Sequence, residues 1–334
     1  MKIIVFDVGG TFIKSGIYDT KEKNLEHFSS VPNDGFQGTE DLRFALHDGY
    51  HSLVKKLPEG SLPTIGICAR GQIDVEKGEV ISDYPPVIDE YDGFNFKNFF
   101  SWAPAPVYVE NDVNAACFAE YRSYLDSLDE DGLDEDGLDE DDLAGNDLAR
   151  KNKEAFAKAP FCCLTFGTGI GGSIILNGEI YHGAHWSAGE AGMMYTDRGN
   201  TYEALASTAS LVGKMMEIAP SLDSGEKIAA YYSADCKDEH YPELKEKRPE
   251  ILSTITLWAF EAGKCAASLI HLLDPAVLVL GGGIMEDPSI FSLVRDRAQL
   301  YLAPGFDVKI IPARYGNKAG LIGAGMLAEK TIMD

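Results

Sequence analysis

The chain predicts an α/β fold of two related domains, each a mixed sheet with flanking helices, around a central cleft. Three observations carry this. Short apolar runs alternate with amphipathic stretches of helical period. Two of those runs, Ile3–Val8 and Leu164–Phe166, end in glycine-rich turns, Gly9-Gly10-Thr11 and Gly167-Thr168-Gly169-Ile170-Gly171-Gly172, and a second strand returns at once from each. Both hairpins are then followed by helices and further strands, so the two halves read as copies of one plan. At 334 residues and 45% hydrophobic content, the chain can fill two cores.

The elements follow in order. Phe12–Tyr18 returns from the first turn, and Leu25–Val31 is a third strand. Thr39–Leu57 carries Leu42, Ala45, Leu46, Tyr50, Leu53 and Val54 on one helical face. Thr64–Ala69 is a buried strand, and Ser82–Trp102, rich in aromatics and Pro, is a loop region with short helices. Val107–Glu110 is a strand running into a helix that starts at Asn111-Asp112-Val113-Asn114 and reaches about Tyr124. The second half begins at Phe161. Its helices are expected at Tyr202–Ile218, Glu226–Tyr231 and Ile251–Leu273. A strand at Val277–Leu280 opens onto Gly281-Gly282-Gly283 and a further helix. Val308–Ile311 is the last strand and Ala319–Lys330 the last helix. The expected domains are 1–120 with the C-terminal helix at about 319–334, an acidic mobile insertion and linker at 126–158, and 159–318.

Composition narrows the function classes. A net charge of −24 opposes nucleic acid and anionic membrane as partners. There is no long uninterrupted apolar window and no signal-like N-terminus, so the expectation is a soluble, cytoplasmic protein. The six cysteines lie mostly in apolar runs without Cys-x-x-Cys spacing and read as buried thiols. Eleven carboxylates crowd the seventeen residues 126–142. Their five-residue repeat does not fit an EF-hand frame, and a solvated, self-repelling insertion is the reading.

Both glycine turns suit phosphate. Consecutive backbone N–H groups without side chains let an anion approach the main chain, although a glycine turn is also often only a turn. Asp7, beside the first turn, is placed to orient Mg²⁺ through its waters; it also suits hydrogen bonding within its own turn. Glu110-Asn111-Asp112, at a strand end and helix start, offers a base for an acceptor hydroxyl and an amide for its neighbour; the same residues make an ordinary helix N-cap. Gly282 and Gly283 suit a nucleoside lying against bare backbone, or a tight strand-to-helix turn.

Together Asp7-Val8-Gly9-Gly10-Thr11, Glu110-Asn111-Asp112-Val113-Asn114-Ala115, Gly167–Gly172 and Tyr181-His182-Gly183-Ala184…Ser187-Ala188-Gly189-Glu190 resemble the ordered signature of the ROK family of repressors and sugar kinases, within the actin/hexokinase/Hsp70 superfamily. The resemblance spans essentially the whole chain. It implies an actin-like, RNase H-like fold for each domain and an ATP-dependent sugar kinase that phosphorylates a hexose or hexoside hydroxyl, usually on C6, with ATP and Mg²⁺. It implies Asp112 as the general base and Asn111, Glu190 and Glu203 as sugar ligands. Asp7, Gly9, Gly10, Thr11, Gly167, Thr168, Gly169, Gly171, Gly282 and Gly283 would serve the nucleotide, in a homodimer. Closure over the cleft would exclude water.

Two departures from the family pattern matter. Met193 stands where many members have a His, and the twelve residues between Glu190 and Glu203 contain neither Cys nor His. The resemblance therefore implies no structural zinc, and a branch that includes β-glucoside kinases. Tyr84-Pro85-Pro86…Tyr91–Lys97 resembles that branch too. Its aromatics are expected either to line an enlarged sugar site or to pack. His182 and His185 read as loop-stabilising. The alternatives are a fructokinase or N-acetylmannosamine kinase of the same family, or a sugar-binding regulator without catalysis. A DNA-binding repressor is not expected, because the first strand starts at Lys2 and the charge is acidic.

Overall fold

The computed structural model describes residues 1–334 except 34, 59, 62, 85, 131–152, 197–198, 235–240 and 334. Most of the acidic insertion, and Cys236, lie outside the described residues. The chain divides into two compact units. One comprises Met1–Arg122, His182–Ser187 and Lys318–Asp334, and the other Ser123–Tyr181 and Ala188–Asn317.

The first unit is built on a five-stranded sheet. β1 (Lys2–Val8) pairs antiparallel with β2 (Phe12–Asp19), and β2 with β3 (Asn24–Pro32). On its other side β1 runs parallel to β4 (Thr64–Ala69), and β4 to β7 (Val107–Asn111), giving the order β3-β2-β1-β4-β7. Between them β5 (Gln72–Asp74) and β6 (Glu79–Ser82) form a small hairpin whose strands are too short to show a period in sequence. Helix α1 (Thr39–Val54) covers one face with Leu42, Leu46, Tyr50 and Leu53. It stops short of the expected Leu57 because the Lys56 and Leu57 amides turn back to Leu53 and Val54, ahead of Pro58. Tyr91, Phe94, Phe96 and Phe100, the last two in or beside the short α2 (Phe96–Phe99), join the same core. The aromatic segment is therefore mainly packing, while Tyr84 stands 80% exposed.

α3 (Asp112–Glu130) runs past the expected end near Tyr124, so the acidic segment begins inside a helix. Buried Leu125 continues its apolar face. The last helix of the chain (Ala319–Met333) packs on β1, β4 and β7. A Cβ at Gly323 would enter the Ala115 carbonyl of α3, so glycine there sets how closely the two helices pack.

The second unit repeats the plan. β8 (Phe161–Phe166) and β9 (Ile170–Leu176) form the hairpin, and β10 (Glu179–Ile180) extends it. β11 (Val277–Gly281) and β12 (Lys309–Pro312) lie parallel on the other side, in the order β10-β9-β8-β11-β12. Strand order and direction match those of the first sheet. The core gathers α5 (Thr208–Ile218), α6 (Gly225–Ser233), α7 (Arg248–Leu273) and α8 (Pro288–Tyr301), with α9 naming the last helix, 319–333. The sequence pattern predicts a single helix over Tyr202–Ile218. Two form instead, because Ser207 is extended and caps α5 through Ser210 N–H, ending α4 (Tyr202–Ala206). Trp258, 1% exposed, fixes the break by donating its indole N–H to the Ala206 and Ser207 carbonyls. Among the described residues no helix is long and apolar enough to cross a membrane.

Candidate active site

In the first unit the chemistry gathers where β1, β4 and β7 end. The turn after β1 is braced on both sides by Asn33, whose N–H donates to the Thr11 carbonyl at 3.0 Å and whose Nδ2 donates to the Gly9 carbonyl at 2.8 Å. The Gly9 N–H closes the turn onto Phe12 O, whereas Gly10 and Thr11 are exposed at its tip. Asp7 is buried on β1 opposite Lys14 on β2, whose ammonium donates to Oδ2 at 3.0 Å. Burial opposes the Lys14 charge, but Asp7, joined by Cys68 and Asp112, holds the amine above its ordinary pKa.

Asp112 opens α3 at the end of β7. Its Oδ1 accepts from Val113 N–H at 2.9 Å and from Asn111 Nδ2 at 3.2 Å. The residue keeps an accessible edge, but loss of water and the field of Asp7 raise the carboxyl to about 6, against the pull of Val113 N–H, Arg70 and Lys14. Such a group is ionised at neutral pH yet a much better proton acceptor than a solvated aspartate.

Asn111 has more to do than sequence suggested. Its Oδ1 accepts from both Val113 and Asn114 N–H, and its Nδ2 donates to Gly71 O and Asp112. It thus caps α3 and holds the Asp112 carboxylate, so a sugar hydroxyl would have to displace one of these bonds. Glu110 is fully buried and receives Asn111 N–H, Asn114 Nδ2, Tyr108 Oη–H and the His182 ring. The His182 contact, with the bond from Gln72 Nε2 to the His185 carbonyl, explains why His182–Ser187 belongs to this unit. The His182 ring thus holds the loop, whereas His185 takes part through its backbone carbonyl.

In the second unit the turn is tighter than the glycine run suggests. Gly167 N–H closes onto Gly169 O, and Gly171 and Gly172 lie within β9, opposite Thr165 and Leu164. Gly171 is thus a ladder residue rather than part of the turn. The turn is pinned by α5, with Thr208 Oγ1 donating to Phe166 O and Ala209 N–H to Gly167 O. It is pinned also by Glu203, whose Oε2 accepts the Ile170 N–H at 3.0 Å. A Cβ at Gly169 would strike that carboxylate. Gly189, with φ +93°, lies against Gly172, and Gly192 packs on the Ile170 carbonyl, which fixes exposed Glu190 near the same strand start. Met193 is 44% exposed. Gly282, at φ +99°, is required by the Phe166 backbone pressed against it, while Gly283 is open. No group of three or more His, Cys, Asp and Glu side chains able to hold a metal occurs among the described residues.

Comparison with known proteins places this geometry in context. The model of the ROK family matches residues 3–127 and 145–331. The chain is 28% identical to a beta-glucoside kinase of Listeria monocytogenes, over 97% of this chain and 96% of that protein. It is 29% identical to a beta-glucoside kinase of Klebsiella pneumoniae, over 97% and 95%. Its fold is shared with the crystal structure of a ROK family glucokinase from Streptomyces griseus in complex with glucose and AMPPNP, with TM-score 0.74, 23% identity, and 99% and 100% coverage.

Proposed function

The chain belongs to the ROK family, and from that premise we propose that it is an ATP-dependent sugar kinase acting on a hexose or hexoside hydroxyl, most simply that on C6. The observation that carries this is Asp112, a shielded carboxylate with a pKa of about 6 at a strand end in the same sheet as the Gly10–Thr11 turn. Asp112 takes the hydroxyl proton as the sugar oxygen bonds to the γ-phosphorus, and the bond to the bridging oxygen breaks with its electron pair leaving on ADP. Asn111 keeps the Asp112 carboxylate aimed. Gly10, Thr11, Thr168 and Gly169 receive phosphates, and Gly283 the nucleoside. Glu190 and Glu203 hold sugar hydroxyls, Glu203 also setting the turn that ends at Ile170.

Asp7 is a hard oxygen donor, buried and part-neutralised by Lys14, and this donor chemistry fits Mg²⁺ held through water. When bound, the ion neutralises charge on the β- and γ-phosphates.

A β-glucoside is favoured as acceptor. Met193 offers no imidazole beside Glu190, and relatives named beta-glucoside kinase align along nearly the whole chain. ADP release measured across glucose, fructose, mannose, N-acetylmannosamine and cellobiose tests the reading. Cellobiose should give the highest kcat/KM, and ADP release independent of every sugar would refute sugar phosphorylation.

A further inference from the structure

The register of the first sheet brings one more charged residue into line. Val8, Ala69 and Asn111 face one another across β1, β4 and β7. The residues one step beyond, Gly9, Arg70 and Asp112, therefore emerge side by side at the strand ends, where ligands bind in open α/β sheets. Arg70 is the middle one, between the glycine turn and the base.

Its placement is built. The Arg70 N–H donates to the Val8 carbonyl at 3.0 Å. Its Nε pairs with Asp83 Oδ1 at 2.7 Å, and the Asp83 side chain is 1% exposed. Asp83 is fixed in turn, since its Oδ2 accepts the Val87 N–H at 3.0 Å and its own N–H donates to Asp92 Oδ1 at 2.8 Å. Asp83 grips the nitrogen nearest the chain, and the guanidinium is carried on over the turn. Nη1 lies 2.8 Å from where a Cβ on residue 10 would stand, so a side chain at that position would have to push it away.

Charge explains why a cation is needed there. Asp7 and Asp112 set two carboxylates close enough to raise the proton affinity of Asp112, and a polyanionic nucleotide must approach them. Lys14 is paired with Asp7. Arg70 opposes the same field, and its planar fork matches phosphoryl oxygens.

We propose that Arg70 is a catalytic residue that donates charge-assisted hydrogen bonds to the phosphoryl group during its transfer. This rests on the phosphotransferase reading above. Arg70 gives up no proton. The sugar oxygen bonds to phosphorus, its proton goes to Asp112, and the leaving diphosphate takes the electron pair, while Arg70 stabilises charge on the oxygens between.

The test starts from wild-type enzyme releasing ADP in a sugar-dependent manner; no turnover with any sugar would overturn the underlying reading rather than this one. In an active preparation, Arg70→Gln combined with Asp83→Asn avoids stranding a buried carboxylate. This pair should lower kcat by about 10²- to 10³-fold with little change in KM for ATP. Its acid limb should move to higher pH, because a cation opposing protonation of Asp112 is gone while Asp7 and Lys14 remain. Arg70→Lys keeps charge without the fork, and should lose at least about tenfold in kcat while melting like wild type. Wild-type kcat in Arg70→Lys, or a loss in the pair confined to melting temperature with kcat and acid limb unmoved, would overturn the proposal.

Discussion

Asp112→Asn should make the protein more stable at neutral pH while disabling it. The carboxyl titrates at about 6 in the folded chain against a reference of 3.8. A folded pKa above the unfolded one means that the native state binds the proton more tightly. Stability therefore falls as pH rises from about 4 to about 6 and stays lowered above that. About two pKa units at 1.36 kcal/mol each give roughly 3 kcal/mol. Asparagine keeps an acceptor for Val113 N–H and Asn111 Nδ2 but carries no charge, so the penalty disappears. Denaturant unfolding of ligand-free protein should show the variant more stable by about 1–3 kcal/mol at pH 7.5, a rise of a few to about 10 °C in Tm, and equal to wild type near pH 4. In the same preparation kcat should fall by about 10²- to 10⁴-fold. A variant no more stable than wild type at pH 7.5 would show that the Asp112 carboxylate is not held against its preference, and the argument for a tuned base would fail.

The remaining expectations concern the second unit and the acid limb. Glu203→Ala removes the acceptor of Ile170 N–H, so KM for ATP and for sugar should rise together in steady-state assays, whereas Glu203→Gln, which keeps an acceptor oxygen, should spare the ATP term. Gly172→Ala drives a methyl into the Gly189 carbonyl; calorimetry should show a loss of about 1–3 kcal/mol, with sugar KM raised because Glu190 follows directly. Wild-type kcat/KM should decline tenfold per pH unit below about 6 as Asp112 takes up its proton, and a flat profile from pH 5 to 7 would contradict that assignment.

Much of this was legible because the relevant information is local. A turn of Gly9-Gly10-Thr11 between two apolar runs is a hairpin in any context, and Asp112 after an apolar strand is a residue at a strand end. What sequence hid is set by distant partners. The break at Ser207 needs the indole of Trp258, fifty-one positions on. The return of His182–Ser187 to the first unit needs Glu110 and Gln72. Glu203 shows its second task only when β9 brings Ile170 to it. Whether an aromatic segment lines a site or a core is a question of burial, and Tyr91, Phe94, Phe96 and Phe100 settle toward the core. Arg70 did leave a signal, since a cation directly after the buried run Thr64–Ala69 and before Gly71 is placed at a strand end like Asp112, but its register with the turn appears only once the sheet is paired.

In the proposed reaction a sugar oxygen, deprotonated by Asp112, receives the γ-phosphoryl group. Phosphorus NMR of a reaction containing MgATP and cellobiose reads this directly, because a sugar phosphate ester and inorganic phosphate resonate apart. Wild-type protein should form ADP and an ester in equal amounts, and Asp112→Asn should form both at least about a hundredfold more slowly. Inorganic phosphate without ester for every sugar supplied, or undiminished ester formation by Asp112→Asn, would contradict it.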